Sequence, residues 1–146
     1  MKTEVRRRIY WDAMLLVYLL DEHPTFSTRV RELLKHSYER ADVLLMSCVG
    51  LGEVMAGAGK SPVQGTAAEM RRTIDEMGFS YLAFGVDAVD TFSHLRAVHR
   101  VKTADAIHLS CAAAAGVDLF LTGDKDLIKL RVPGIHFIAG FENPIL

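Results

Sequence analysis

Four acids in this 146-residue chain stand where chemistry could be done, because each follows or opens an apolar segment. Asp12 directly follows "RRIYW". Glu53 lies inside "VGLGEVMAG", behind the apolar "DVLLMS". Asp105 opens "TADAIHLSCAAAAG". In "FLTGDKDLIKL" an apolar run meets Thr122, Gly123 and Asp124, then a further acid, Asp126. Each acid has a modest explanation by itself. Asp is a favoured helix N-cap, worth about 1 kcal/mol, which suits Asp12 before "AMLLVYLLDE" and Asp124 before "KDLIKL". Asp105 complements a helix dipole at about 0.3–1 kcal/mol, and Asp126 reads first as a helix-start residue. Glu53 fits this pattern least, since it shares its side of a helix with Val49, Ala56 and Gly57. Capping explains the acids one by one and does not require them to meet. If they meet, three or four carboxylates within a few ångströms cannot all stay ionised without protons or cations. Lys125 is the only Lys or Arg directly adjacent in sequence to one of the four acids. Mg²⁺ or Mn²⁺ suits a site of a few carboxylates, waters and a substrate phosphate.

The elements that must position these acids follow from hydrophobic patterning. Short apolar runs alternate with helix-like segments. The strand candidates are residues 7–11, 42–47, 79–85, 118–122 and 134–139. "DVLLMS" is apolar throughout, as for a strand buried on both faces. Between them, residues 13–22, 27–41, 49–57, 65–78, 86–100, 103–116 and 125–130 read as helices. Val30, Leu33, Leu34 and Tyr38 recur at helical spacing, and Gly116 closes the sixth of these helices. In that helix, Ala104, Ile107, Cys111 and Ala115 are expected to face the core, with Asp105 beside the stripe. The alternation predicts an α/β fold with a mostly parallel sheet of four to five strands between helical layers. In such sheets sites form beyond the carboxyl ends of the strands, which is where Asp12, Glu53 and Asp124 fall. Gly50 and Gly52 each weaken a helix by up to about 1 kcal/mol relative to Ala. Either they bare a helix face beside Glu53 for substrate, or they allow tight packing on the sheet.

Length and composition restrict the function classes. The chain suits one domain, residues 1–146, with 50% apolar and 24% charged residues. No apolar run reaches the roughly 18 residues of a membrane span, and the start shows no signal-peptide pattern. Cys48 and Cys111 lack metal-ligand spacing and read as reduced thiols in a cytoplasmic protein. A net charge of −1 argues against a general nucleic-acid coat protein but not against an enzyme touching a few phosphates. The six histidines show no ligand spacing. His94 and His99 do not align on a helix, and His108 reads as a packed or rim residue rather than a base.

Taken in order, "IYWDAMLLVYLLDE", "VLLMSCVGLGEVMAG", "KTADAIHLSCAAAAGVDLFLTGDKDLIKL" and "VPGIHFIAG" resemble the PIN-domain family, and within it the VapC-type toxins of toxin–antitoxin pairs. The resemblance spans about residues 8–140, and its specific part is the third block. It implies a PIN-like three-layer α/β/α fold and a metal-dependent endoribonuclease. The family's four acidic positions fall on Asp12, Glu53, Asp105 and Asp124, as catalytic and Mg²⁺- or Mn²⁺-binding residues. Thr122 matches the hydroxyl that helps orient the site, Asp126 matches a position that is sometimes acidic, and Ser47 matches a frequent Ser or Thr. Met14 departs from the pattern, since many relatives carry a small polar residue there.

The resemblance further implies an RNA substrate, a homodimer and a small cognate antitoxin. Such a partner would lay an apolar segment over Leu15–Leu20 and Val30–Leu34, where apolar residues also read as plain core. Phosphate contacts are sought among Arg6, Arg7, Arg8, Lys60, Arg96, Arg100, Lys102 and Lys125. Three alternatives stay open: a catalytically silent PIN scaffold that binds RNA or a protein, an RNA-maturation nuclease, and a haloacid-dehalogenase-type phosphatase. The last requires a second Asp at the place of Met14.

Overall fold

The computed structural model describes residues 5–58, 65–144 and 146. Five strands form one sheet: β1 (Arg8–Trp11), β2 (Val43–Ser47), β3 (Ser80–Leu82), β4 (Leu119–Thr122) and β5 (Phe137–Gly140). All pairings are parallel, in the order β3-β2-β1-β4-β5. The helices are α1 (Ala13–Leu20), α2 (Ser27–Glu39), α3 (Cys48–Ala58), α4 (Ala67–Glu76), α5 (Val89–Ala97), α6 (Thr103–Ala115) and α7 (Lys125–Ile128). They cover both faces of the sheet, so the expected three-layer α/β/α arrangement is present.

The alternation of side chains along a strand sorts the core into two halves. On one face Ile9, Trp11, Leu44, Met46, Leu119 and Leu121 pack with Leu15 and Leu16 of α1, Val30 and Leu33 of α2, and Met70 and Ile74 of α4. On the other, Tyr10, Leu45 and Phe120 pack with Leu95 of α5 and Ala106, Leu109 and Ala112 of α6. Tyr10 and Phe120 stack with centroids 5.0 Å apart and planes 3° from parallel. A two-faced core of this kind is why the strands read as continuous apolar runs.

Several boundaries differ from the sequence reading. The expected strand 79–85 is only Ser80–Leu82, because its sole partner strand ends at Ser47, which pairs with Leu82 and then hands the chain to α3. The helix expected over 86–100 begins as a 3-10 turn at Val86–Ala88 and ends at Ala97, and Arg100 takes a left-handed φ of 54° that redirects the chain into α6. The fifth strand starts three residues late, after Gly134 turns the chain at φ 100°. The helix expected over 125–130 is a single turn. On α6 Ala106, Leu109 and Ala112 are fully buried, and Cys111 is buried as expected, while Ala104, Ile107 and Ala115 are only half-buried. Gly116 does close α6, at φ 66°. Leu15, Leu16, Val30, Leu33 and Leu34 are core residues, in line with the plain-core reading of these segments.

Candidate active site

The strand order reverses at the centre of the sheet. From β1 the chain winds outward to β2 and β3, then returns to place β4 on the other side of β1. The carboxyl ends of β1 and β4 therefore flank a topological switch point, where an open α/β sheet leaves a crevice. The two ends are locked in register: Trp11 pairs with Leu121, and the Asp12 amide donates to the Leu121 carbonyl at 2.9 Å. An open cleft of ≈ 580 Å³ lies here, and Asp12, Glu53, Asp105 and Asp124 all line it, together with Met14, Val17, Tyr18 and Gly123. Among the described residues, no Lys or Arg lines it.

The geometry decides between capping and a shared site, and the answer differs for each acid. Asp12 occupies the N-cap position of α1 but makes no side-chain capping bond. Its carboxylate instead accepts from the buried Thr122 hydroxyl at 2.8 Å. Thr122 also accepts from the Asp124 amide at 3.0 Å, so one hydroxyl joins the ends of β1 and β4. Asp124 does cap: its carboxylate accepts from the Asp126 amide at 2.8 Å and starts α7. Asp105 stands in the first turn of α6. Burial pushes the Asp12 carboxyl above its ordinary range, against the lowering effect of the Thr122 bond. Burial also raises Asp105, and the negative charges of Asp12 and Asp124 add to it. The acids are thus close enough to repel one another.

Glu53 reaches the same cleft from α3, and its Oε1 is bonded to Nε2 of His108. His108 is 1% exposed. The sequence reading of a packed residue is therefore correct as far as it goes, but it missed the contact with Glu53. The available signal was the three-residue step from Asp105 to His108, which puts both on neighbouring faces of α6.

Among the supporting residues, Ser47 does not adjoin the cleft acids. Its hydroxyl accepts from the Gly50 amide at 2.9 Å, capping α3, and faces His108 Nδ1 at 3.2 Å. Asp126 and Lys125 are exposed and do not line the cleft. Arg96 donates to the Val101 carbonyl at 2.9 Å, and neither it, Arg100 nor Lys102 lines the cleft. Arg6 donates to Ala41, Arg7 pairs with Asp42 and Arg8 donates to Ala115, so these three brace the sheet. Lys60 lies outside the described residues. Met14 is 47% exposed at the cleft and offers no side-chain hydrogen bond of the kind a small polar residue would.

Among the described residues, no group of three or more His, Cys, Asp and Glu side chains is already gathered tightly enough to hold a metal ion. The acids instead line the walls of a cleft. Such a donor set, all oxygen and, among the described residues, lined by no Lys or Arg, fits a hard cation that keeps several of its own waters and touches one or two carboxylates directly.

Residues 9–133 match the PIN domain family. A comparison with curated proteins finds no match. Among solved structures, the chain is similar to VapBC2 from Rickettsia felis bound to a DNA fragment from its promoter (TM-score 0.70, 16% identity, 91% of this chain and 98% of that one). It is also similar to DNA-bound VapBC from Salmonella typhimurium (0.69, 19%, 92% and 98%). A third similar structure is a toxin–antitoxin complex from Klebsiella pneumoniae (0.64, 22%, 87% and 94%). At these identities the likeness is one of fold. Family membership leaves the phosphatase alternative without support, as does Met14 in place of a second Asp. With the family match covering most of the chain and the four acids lining the cleft at the β1/β4 switch, this chain belongs to the PIN domain family.

Proposed function

We propose that this chain is a Mg²⁺- or Mn²⁺-dependent endoribonuclease and the toxin of a two-protein toxin–antitoxin pair. The observation that carries the chemistry is the cleft itself, whose walls bring four carboxylates to the switch point with, among the described residues, no Lys or Arg lining it. The toxin role is supported by the similar structures, which are toxin–antitoxin complexes.

Asp12 and Asp105 hold the ion: both carboxyls line the cleft, and burial opposes the ionisation of each. Held by these carboxylates, a divalent ion would supply an acidified water for the hydrolysis of a phosphodiester bond. Thr122 orients Asp12 by donating to Oδ2. Asp124 contributes from a carboxylate already fixed by its cap on α7. Glu53 orients the attacking water from the rim, with Oε1 held by His108. Met14, Val17 and Tyr18 form an apolar flank of the same cleft.

The test is Mn²⁺-dependent cleavage of a structured RNA by the wild-type chain and by Asp12→Asn and Asp105→Asn. Losing even an outer-shell partner of a metal costs about 10–100-fold, so each direct ligand is expected to cost at least about 100-fold. Undiminished cleavage by either variant refutes the assignment. A chain that binds RNA with no response to Mn²⁺ is instead a non-cutting scaffold.

A further inference from the structure

His108 is wholly enclosed, yet both of its ring nitrogens are engaged by polar groups from three other elements. Nδ1 faces the Tyr10 hydroxyl of β1 at 2.7 Å and the Ser47 hydroxyl at the end of β2 at 3.2 Å. Nε2 meets Glu53 of α3. A carboxylate only accepts, so Nε2 carries a proton and donates it, while Nδ1 faces two hydroxyls that are both able to donate. Those anchors are themselves pinned. The Ser47 amide donates to the Tyr10 hydroxyl at 3.0 Å, and the Ser47 hydroxyl takes the Gly50 amide.

Space for the ring is provided by Gly50. A Cβ there would stand 3.2 Å from His108 Cε1 and 2.7 Å from Met46 Cγ. Burying an imidazole is unfavourable unless its nitrogens are bonded, and an apolar side chain would fill the volume without that cost. What the arrangement supplies is a fixed donor beneath Glu53, whose side chain is otherwise 43% exposed at the cleft rim.

We propose that His108 is a positioning residue for the acidic site: anchored by Tyr10 and Ser47, it fixes the Glu53 carboxylate at the rim of the cleft. This inference rests on the nuclease reading of that cleft.

The experiment measures RNA cleavage and Mn²⁺ affinity, the latter by electron paramagnetic resonance without RNA. It uses the full chain as wild type, His108→Leu, His108→Gln, Glu53→Gln and the double variant His108→Leu/Glu53→Gln. We expect His108→Leu to lower cleavage and Mn²⁺ affinity by about 10–100-fold. In the Glu53→Gln background the same change should cost no more than about twofold, because its effect runs through Glu53. His108→Gln, whose amide reaches the Nε2 position, should recover much of the loss. Equal losses in both backgrounds, or a Gln variant no better than the Leu one, overturn the role. If His108→Leu does not fold, His108→Gln against His108→Asn decides. The Asn amide is too short to reach Glu53, so Asn at or above Gln overturns the role. A wild-type chain with no Mn²⁺-dependent cleavage overturns the nuclease reading and this inference with it, whereas wild-type cleavage with additive losses overturns His108 alone.

Discussion

Thr122 is buried, and its single hydroxyl serves two acids, donating to Asp12 and accepting from the Asp124 amide. Replacing it by Val keeps the shape and removes both bonds, leaving a carboxylate and an amide short of a partner. Thr122→Val is expected to cost about 1–3 kcal/mol in urea unfolding and to lower cleavage, while Thr122→Ser retains both bonds and most of the activity. The acids themselves carry the opposite sign. Asp12→Asn and Asp105→Asn are expected to lower cleavage at least about 100-fold, yet each removes a carboxyl whose ionisation burial opposes. The metal-free variants should therefore melt above the metal-free wild type. Variants that melt lower would show that these carboxylates stabilise the fold rather than burden it.

At the scale of elements, the packing of α3 against α6 governs where Glu53 stands. The two glycines of α3 have different reasons. Gly50 admits the His108 ring, whereas a Cβ at Gly52 would meet nothing within 4 Å. Gly50→Ala adds helix propensity of up to about 1 kcal/mol but forces Met46 or His108 to move, and overpacking of this kind costs about 1–3 kcal/mol. The net effect should be a lower melting temperature and impaired cleavage. Gly52→Ala meets no such conflict and should stabilise by about 0.5–1 kcal/mol. If the Gly52→Ala chain also loses RNA cleavage, the open face beside Glu53 is used by substrate. Thermal melts and cleavage assays on the two single variants separate packing from access.

For the whole molecule, proton and metal binding are linked through the same cleft. Asp12 and Asp105 bind protons more tightly in the folded chain than at the ordinary value of 3.8 expected unfolded. Above that value the folded state holds more protons than the unfolded one, so these two groups make the metal-free fold less stable as pH rises, until both are ionised in both states. The stability advantage of an Asp12→Asn/Asp105→Asn chain over wild type should grow across that window and then level off. Mn²⁺ competes with those protons. Near neutral pH it should stabilise wild type by about 2.7 kcal/mol at a hundred times its Kd, and leave the double variant unmoved. Melting curves at several pH values, with Mn²⁺ and with a chelator, check both expectations.

How much was legible beforehand follows from the range of the interactions involved. Strand–helix alternation, the parallel three-layer fold and the placement of Asp12, Glu53 and Asp124 beyond strand ends depend on local patterning and chain connectivity. A linear sequence carries both. The ends of β3, α5 and α7 were not legible, because pairing partners and backbone turns set them, not the segments' own composition. Nor was the task of each charged side chain. Arg7 and Arg8 look like free cations until the sheet brings Asp42 and Ala115 beside them. The network of Tyr10, Ser47, Glu53 and His108 belongs to the same class. Its members come from four elements and share no spacing, and each bond exists only because β1, β2, α3 and α6 converge at one edge of the sheet. The sequence by itself determined which residues were available to the cleft. Tertiary packing decided which of them touch, since hydrogen bonds and Coulomb forces act over ångströms in space whatever the distance along the chain.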